Sequence, residues 1–542
     1  MKKFLTFAAT LLLGAVSISN SFAQADLGAA CGCPPVASRT TVVDLSTLAD
    51  ASGNINDSNL VLTCDKMWRL DKKIYVGSGK TITIMPGTVI KGVYTVDPAL
   101  ASALIISRGA KIIAAGDKDC QIVFTAEGDN LDGTYPVSTV GRWGGLVLCG
   151  RAANNLTTGN TLYIAGSTGI GRAEGFASGD PRVYYGGSTD NDNSGVLRYV
   201  SLRHAGANLA AGFEINALTL CSVGSGTSIE HVETVSCNDD NIELFGGTVN
   251  LKYISTLFGN DDMLDYDQGW TGKCQFFFGI KRATNDTTGT TSDNGIEADA
   301  DDQKINSCPR SHPFIYNMTL IGSGKHYTNA DNSGVAGIMA KELTEGEIYN
   351  SVFANFKYGV NIQKTPGTRV STSICGTSTV VGEAYDNWNQ LDAVATLKIK
   401  NCTFVANDYS FRLNQKSNTA ISVDDSTKFF GDGNVNIPAV TGFAPVWAMN
   451  STTNAVTTQF DAIPNPAIAS SITPPVDGFY SPANYRGAFS PTGSNWLSDW
   501  SYVKILDMTA GLVPCPTDLN GSTNVDVDDF LIFLGTFGSS CQ

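Results

Sequence analysis

A short alternation of apolar and polar positions recurs through the middle of the chain. It reads Leu197-Arg-Tyr-Val200-Ser-Leu202, Ile229-Glu-His-Val232-Glu-Thr, Leu251-Lys-Tyr-Ile254-Ser-Thr, Ile315-Tyr-Asn317-Met-Thr-Leu320, Ile348-Tyr-Asn350-Ser-Val-Phe353 and Ile399-Lys-Asn401-Cys-Thr-Phe404. Each copy predicts one short strand. Strand-sized units repeated at intervals of roughly twenty to fifty residues predict a solenoid, because a unit that cannot bury its own apolar face must stack on its neighbours. Earlier β-branched runs such as Ile74-Tyr-Val76, Thr81-Ile-Thr-Ile84, Leu104-Ile-Ile106 and Ile122-Val-Phe124, cut by Gly77-Ser-Gly79, Pro86-Gly87 and Arg108-Gly109, have the rhythm of strands and turns. That rhythm also fits an antiparallel sandwich.

The segment 228–270 separates the two. Ile229 aligns with Leu251, Val232 with Ile254, Val235 with Leu257, Asn238-Asp239-Asp240 with Asn260-Asp261-Asp262, and Glu243 with Asp265, all at an offset of 22 residues. One coil of a parallel β-helix takes about that many residues, and matching side chains then stack about 4.8 Å apart. Longer intervals, such as Ile348 to Ile399, predict turn insertions. The expected fold is all-β: a right-handed parallel β-helix over 61–505, preceded by a signal peptide at 1–23 and a polar leader at 24–60, and followed by a small module at 506–542. Residues 360–396 and 405–475 read as excursions or irregular coils. The aromatic stretch Tyr480 to Trp500 reads as a cap over the last strands.

Composition adds an address. Met1-Lys2-Lys3, the apolar run Phe4 to Val16 and Ser21-Phe22-Ala23 have the three parts of a secretory signal. No later stretch reaches the eighteen or so apolar residues of a membrane span. The expected setting is therefore secreted or cell-surface. Removing the signal takes the net charge from −15 to about −17, which argues against nucleic acid as a partner. Thirteen cysteines without a CxxC pair, and four scattered histidines, point to disulfides before zinc.

The two Asn-Asp-Asp steps carry the sharpest candidate chemistry. In the 22-residue register Asp239 and Asp240 lie beside Asp261 and Asp262, with Glu243, Asp265 and Asp267 at the following corner. Stacked carboxylates repel unless a cation, hydrogen-bonded neighbours or raised pKa values relieve them. Three readings stay open: aspartates that merely form turns, a calcium site drawing on Asp240, Asp262, Asp265 and Asp267, or a catalytic pair among Asp239, Asp240, Asp261 and Asp262, since two carboxylates about 5 to 9 Å apart can cleave a glycosidic bond. Arg203-His204 reads as an exposed corner, and Lys281-Arg282 as merely basic.

A second calcium candidate closes the chain. In Asp518-Leu-Asn520-Gly-Ser522-Thr-Asn524-Val-Asp-Val-Asp-Asp529, oxygen ligands fall at loop positions 1, 3, 5 and 12, the spacing of an EF-hand loop. Thr523 stands where glycine is usual, and Asp529 where glutamate is. Asn524, beside these, completes the oxygen set. The segment resembles half of a dockerin. Cys515 and Cys541 bracket it and are expected to pair around a module too small to hold itself together.

Asp192-Asn-Ser-Gly-Val-Leu-Arg-Tyr-Val200, Glu214-Ile-Asn-Ala-Leu-Thr-Leu220, Glu243-Leu-Phe-Gly-Gly247, Asn294-Gly-Ile-Glu-Ala-Asp299, Arg142-Trp-Gly-Gly-Leu-Val147 and Asn484-Tyr-Arg-Gly-Ala-Phe489 resemble a family of exported proteins common in Bacteroidota. The resemblance implies a right-handed β-helix of the pectin-lyase-like type and no particular reaction. The resulting expectation is a calcium-stabilised, disulfide-bonded surface protein with a structural, adhesive or glycan-contacting role. Its expected partners are extracellular glycans or copies of itself. The competing expectation is a polysaccharide lyase or glycoside hydrolase. Polygalacturonase-type and pectate-lyase-type motifs do not appear in full, which favours the first.

Overall fold

The computed structural model describes residues 24–508 except 210–214, 283–293, 302–306, 325–334, 365–382, 390–394, 414–421, 438–447, 451, 460–468, 493–494 and 507. The expected signal peptide lies outside the described residues. So does the C-terminal module, with Asp518, Asn520, Ser522, Asn524, Asp529, Cys515 and Cys541.

The strands stack in parallel into a three-sided solenoid. The first face climbs from Asn59–Leu62 through Thr81–Ile84 and Lys111–Ala115 into the leading halves of Gly195–Arg203, Ser228–Val235, Asn250–Leu257, Lys273–Ile280 and Phe314–Ile321, then Gly346–Tyr349 and Leu397–Lys400. The second face begins at Val42–Asp44, continues through Met67–Leu70, Val89–Gly92 and Ile122–Ala126 into the trailing halves of the same long strands, and ends at Val352–Ala354, Thr403–Val405 and Val435–Ile437. The third face has ten strands among the described residues, from Lys73–Val76 to Tyr409–Leu413. The 22-residue register is observed: Ile229 pairs with Leu251, and Val232 with Ile254. Leu197 pairs with Ile229 and Ile348 with Ile399 across the longer intervals.

The recurring hexapeptide is a bend rather than a plain strand. Its third residue, Tyr199, His231, Tyr253, Asn317, Asn350 or Asn401, has φ between 48° and 58°, and Phe276 matches them at 60°. A regular strand alternates its faces and could not point residues three apart to one side. The left-handed residue resets the alternation, so Ile229 and Val232 both enter the core, at 2% and 0% exposure. Asparagine takes this conformation at low cost; rings do not. The rings answer by stacking, with centroids 4.4 Å apart for Tyr199 and His231, 4.5 Å for His231 and Tyr253, and 5.0 Å for Tyr253 and Phe276. Inside, one continuous core of Leu, Ile, Val and Phe runs from Leu45 to Phe429.

The stretch Tyr480 to Trp500 is not an end cap. It belongs to a strap that runs back along the flank, from Asn401, where Ser471 is bonded at 2.8 Å, past Tyr316, which meets Tyr480 edge to face at 4.9 Å, to Tyr199, which meets Trp500 at 5.5 Å. The ring ladder offers that flank an apolar surface. Trp496 and Trp500 cover it. The late end is instead covered by α2 (Val423–Gly431), whose Phe429 stacks on Phe411 at 4.6 Å. This helix and α1 (Ala384–Trp388) lie in the segments read as excursions or irregular coils, between strands of the solenoid. Ser422 opens α2 with a capping box to Asp425.

Within the leader, Val42–Asp44 already pairs with Met67–Arg69, and disulfides Cys31–Cys120 and Cys33–Cys64 pin its start to early coils. Cys308 is also disulfide-bonded. Cys149, Cys221, Cys237, Cys274 and Cys402 are buried free thiols. Among the described residues no helix is long and apolar enough to cross a membrane.

Candidate functional site

The two Asn-Asp-Asp steps form the corner between the second and third faces, stacked as their offset requires. Asn260 Nδ2 donates to Asn238 Oδ1 at 3.1 Å, and the Asp262 N–H donates to Asp240 Oδ1 at 2.7 Å. The Asn294 N–H donates to Asp262 Oδ1, Lys281 Nζ to the Asp261 carbonyl, and Arg282 Nη2 to Asn260 Oδ1. Part of this ladder therefore shapes the turns. Lys281 and Arg282 are not merely basic surface: they are 0% and 7% exposed, and they bring positive charge to the aspartate corner.

From this corner the chain enters the third face, whose outward rows continue the acidity. Glu243 lies beside Asp265, and Asp265 beside Glu297. The residues two further on are Phe245, Asp267 and Asp299. Lys341 ends the acidic rows with its Nζ 2.9 Å from Glu297 and 3.1 Å from Asp299. Opposite stands the excursion 150–190, which packs Leu156, Phe176, Val183 and Tyr185 over Val147, Cys221 and Phe245. Between this wall and the strands lies a cleft of about 420 Å³, floored by Glu243, Asp265, Asp267, Glu297, Asp299 and Lys341 and walled by Asn160, Arg172 and Glu174.

Burial dominates its electrostatics. It raises Asp240, Glu243, Asp265 and Asp299 well above the usual carboxylate range, and the nearest acids add to this: Asp261 for Asp240, Glu174 for Glu243, Glu243 for Asp265. Lys341 pulls Asp299 back only in part. Burial also disfavours the Lys341 ammonium, but Asp299 and Glu297 outweigh it and hold its pKa above the ordinary lysine value. Asp265 Oδ1 and Asp299 Oδ1 are buried without a hydrogen-bond partner among the described residues.

Among the described residues two oxygen-only groups have the geometry to hold a metal: Asp239 with Asp240 and Asp261, and Asp240 with Glu243 and Asp265, each with ligand atoms within 4.8 Å of one another. Hard carboxylate donors of this kind suit calcium. The structure thus brings Asp240 and Asp265 together, whereas Asp262, which accepts from the Asn294 N–H, and Asp267, which accepts from the Gln268 N–H at 2.5 Å, belong to neither group. The four aspartates considered for catalysis, Asp239, Asp240, Asp261 and Asp262, sit at the corner and do not line the cleft.

Sequence reasoning missed Glu297, Asp299, Lys341, Arg172 and Glu174. Aligning Leu264-Asp-Tyr-Asp267 with Ile296-Glu-Ala-Asp299 would have found the first two, since both place acids at the outward positions. Arg203 and His204 are not an exposed corner: they are 1% and 0% exposed. Arg203 lies 4.7 Å under the Tyr502 ring of the strap, and His204 Nδ1 is 2.7 Å from the Thr139 carbonyl oxygen, with burial pushing its pKa down to about 4.

No curated protein sequence matches the chain significantly. The sequence profile of the family described as a pectate-lyase-like beta helix domain matches residues 53–434, a span that holds the aspartate corner, the cleft and α2. With most of its length so matched, and with its strands stacked in parallel, the chain belongs to the pectate-lyase-like β-helix family.

Proposed function

We propose that this is an exported glycan-contacting protein whose saccharide lies in the acidic cleft over the third face, with calcium held by Asp240, Glu243 and Asp265 at the cleft's edge. The observation that carries the reading is the gathering of five carboxylates and one ammonium from successive strands into one cleft of saccharide size. Carboxylates and ammonium groups are the usual partners of sugar hydroxyls, and a bound calcium would neutralise the row and offer further coordination to sugar oxygens. The family match and the disulfides of the leader support a glycan-facing, extracellular role. Adhesion through this cleft is the biological consequence.

A second reading, cleavage of the bound glycan, draws on the raised carboxyl pKa values. A carboxyl group that keeps its proton near neutral pH can serve as a general acid beside an ionised neighbour. Titration calorimetry over a panel of soluble polysaccharides, with and without chelator, tests the first reading. We expect binding that weakens on chelation and in Asp265→Asn. Release of reducing ends or unsaturated uronates, lost in Asp299→Asn, would establish the second. Absence of binding across the panel would refute both.

A further inference from the structure

The acidic cleft has a basic counterpart. A pocket of about 560 Å³ opens at the corner where the third face passes into the first, over the earliest coils. Its walls are the stacked turns holding Ser78, Ser107, Arg108 and Arg151, and the limb of the excursion holding Arg182 and Gly186. Three arginines line one space in a chain of net charge −15.

Their commitments differ. Arg182 Nη2 lies 2.7 Å from Asp180, and its guanidinium sits 3.7 Å over the Tyr75 ring, so its charge is already answered. Arg108 Nη1 donates to the Gly186 carbonyl at 3.0 Å, which positions the guanidinium without neutralising it. Arg151 engages Asp192 through its backbone N–H, at 3.2 Å. Neither Arg108 nor Arg151 has a carboxylate at ion-pair distance from its guanidinium among the described residues.

Gly109 lets the turns meet. Its φ is 85°, and a Cβ there would fall 2.0 Å from Arg151 Nη2 and 2.8 Å from Ser78 Oγ. A side chain there would displace that guanidinium and that hydroxyl from the spot they share. Ser107 supplies an independent observation. It is 6% exposed, lines the pocket, and its Oγ has no hydrogen-bond partner among the described residues. A buried hydroxyl left unpaired is costly unless a ligand completes it.

A planar carboxylate is satisfied by one guanidinium fork. Cations and hydroxyls arriving from three separate turns match an acceptor whose oxygens point in several directions. We propose that this pocket binds a tetrahedral oxyanion, a sulfate or phosphate group, with Arg108 and Arg151 supplying the charge and Ser78 and Ser107 the neutral donors. The group is carried as an ester on a glycan or arrives as the free ion. This site is independent of the acidic cleft.

The test is titration calorimetry of the full-length protein with inorganic sulfate, inorganic phosphate, dextran sulfate, unmodified dextran and polygalacturonate at low salt. We expect dextran sulfate or the inorganic ions to bind and unmodified dextran not to bind. Arg108→Gln with Arg151→Gln should weaken binding roughly ten-fold or more, on the scale of a lost charge-assisted hydrogen bond, with an unchanged melting curve. Arg151 is exposed, so Arg151→Gln alone keeps the test valid if Arg108→Gln loosens the excursion. Competition by inorganic sulfate assigns the free ion as a sufficient ligand; binding of dextran sulfate without such competition assigns the ester. Polygalacturonate binding as tightly as dextran sulfate, undiminished binding by Arg151→Gln and the double variant, or no binding of any sulfate or phosphate probe would overturn the proposal.

Discussion

Replacing Asp265 by asparagine should stabilise the protein in chelator and lose that advantage in calcium. Asp240, Glu243 and Asp265 bring carboxylate oxygens within 4.8 Å of one another. At an effective dielectric constant near 20, two unit charges at that distance repel by about 3.5 kcal/mol. Protonation limits the repulsion and calcium reverses it. In chelator, Asp265→Asn removes one charge from the row and should stabilise the protein by up to about 3 kcal/mol. With calcium at a hundred times its dissociation constant, the wild type gains about 2.7 kcal/mol that the variant lacks. A chain of 542 residues has an unfolding entropy of about 1.1 kcal/mol/K, so each effect is about 3 °C in Tm. Differential scanning calorimetry of both proteins at pH 8, with calcium and with chelator, reads whether the difference in Tm seen in chelator closes in calcium. The sequence from Asp518 to Asp529 is the same in both proteins, so any contribution from it cancels in the comparison. If Asp265→Asn shifts Tm equally in both buffers, the carboxylate row holds no cation and the reasoning fails.

His312 should make stability fall in alkali. Its Nδ1 is 2.9 Å from Glu345 Oε2, and Nε2 lies 3.9 Å from Glu347, a through-space contact; burial opposes the charge, but these acids outweigh it and raise the pKa to about 9. The folded value exceeds the unfolded one, so the stabilisation is complete below about pH 6.5 and disappears as pH rises through about 9. Allowing for solvent screening, it amounts to about 2 kcal/mol; urea melts at pH 6 and pH 10 should show that difference shrinking in His312→Gln, and an unchanged difference would refute the assignment. Trp500, 3% exposed, covers Tyr199 and His231, so Trp500→Ala should cost about 3–5 kcal/mol. Hydrogen exchange should then accelerate over 485–508; protection equal to wild type would show that the strap does not depend on this ring.

The parts of the fold legible in the sequence are those set by side-chain periodicity. The offset of 22 that aligns Ile229 with Leu251 predicts their pairing, and it also stacks the Asn-Asp-Asp steps, because every side chain of one coil sits over its counterpart in the next. The bend at His231 escaped, although Ile229 and Val232 three apart contain the hint: a straight strand cannot bury both. The cleft escaped for another reason. Its floor crosses coils of unequal length, so Glu297 and Lys341 have no constant offset from Asp265, and its wall comes from an excursion whose docking depends on scattered apolar residues such as Leu156 and Tyr185. Arg203 looked exposed because the ring that covers it, Tyr502, is some three hundred residues away in the chain.

That strap also alters how the solenoid comes apart. An array of coils that touch only their neighbours can fray from either end, one coil at a time. Here the strap bonds to Asn401 near one end of the array and reaches Glu233, whose carboxylate accepts from the Tyr502 N–H at 2.7 Å across 269 residues. Losing a late coil therefore releases the cover of an early one. Segments that would otherwise melt separately are tied into a single cooperative unit. Because the strap follows the coils in the chain, that union forms only after the coils beneath it have been synthesised, so a chain cut before the strap lacks the clasp.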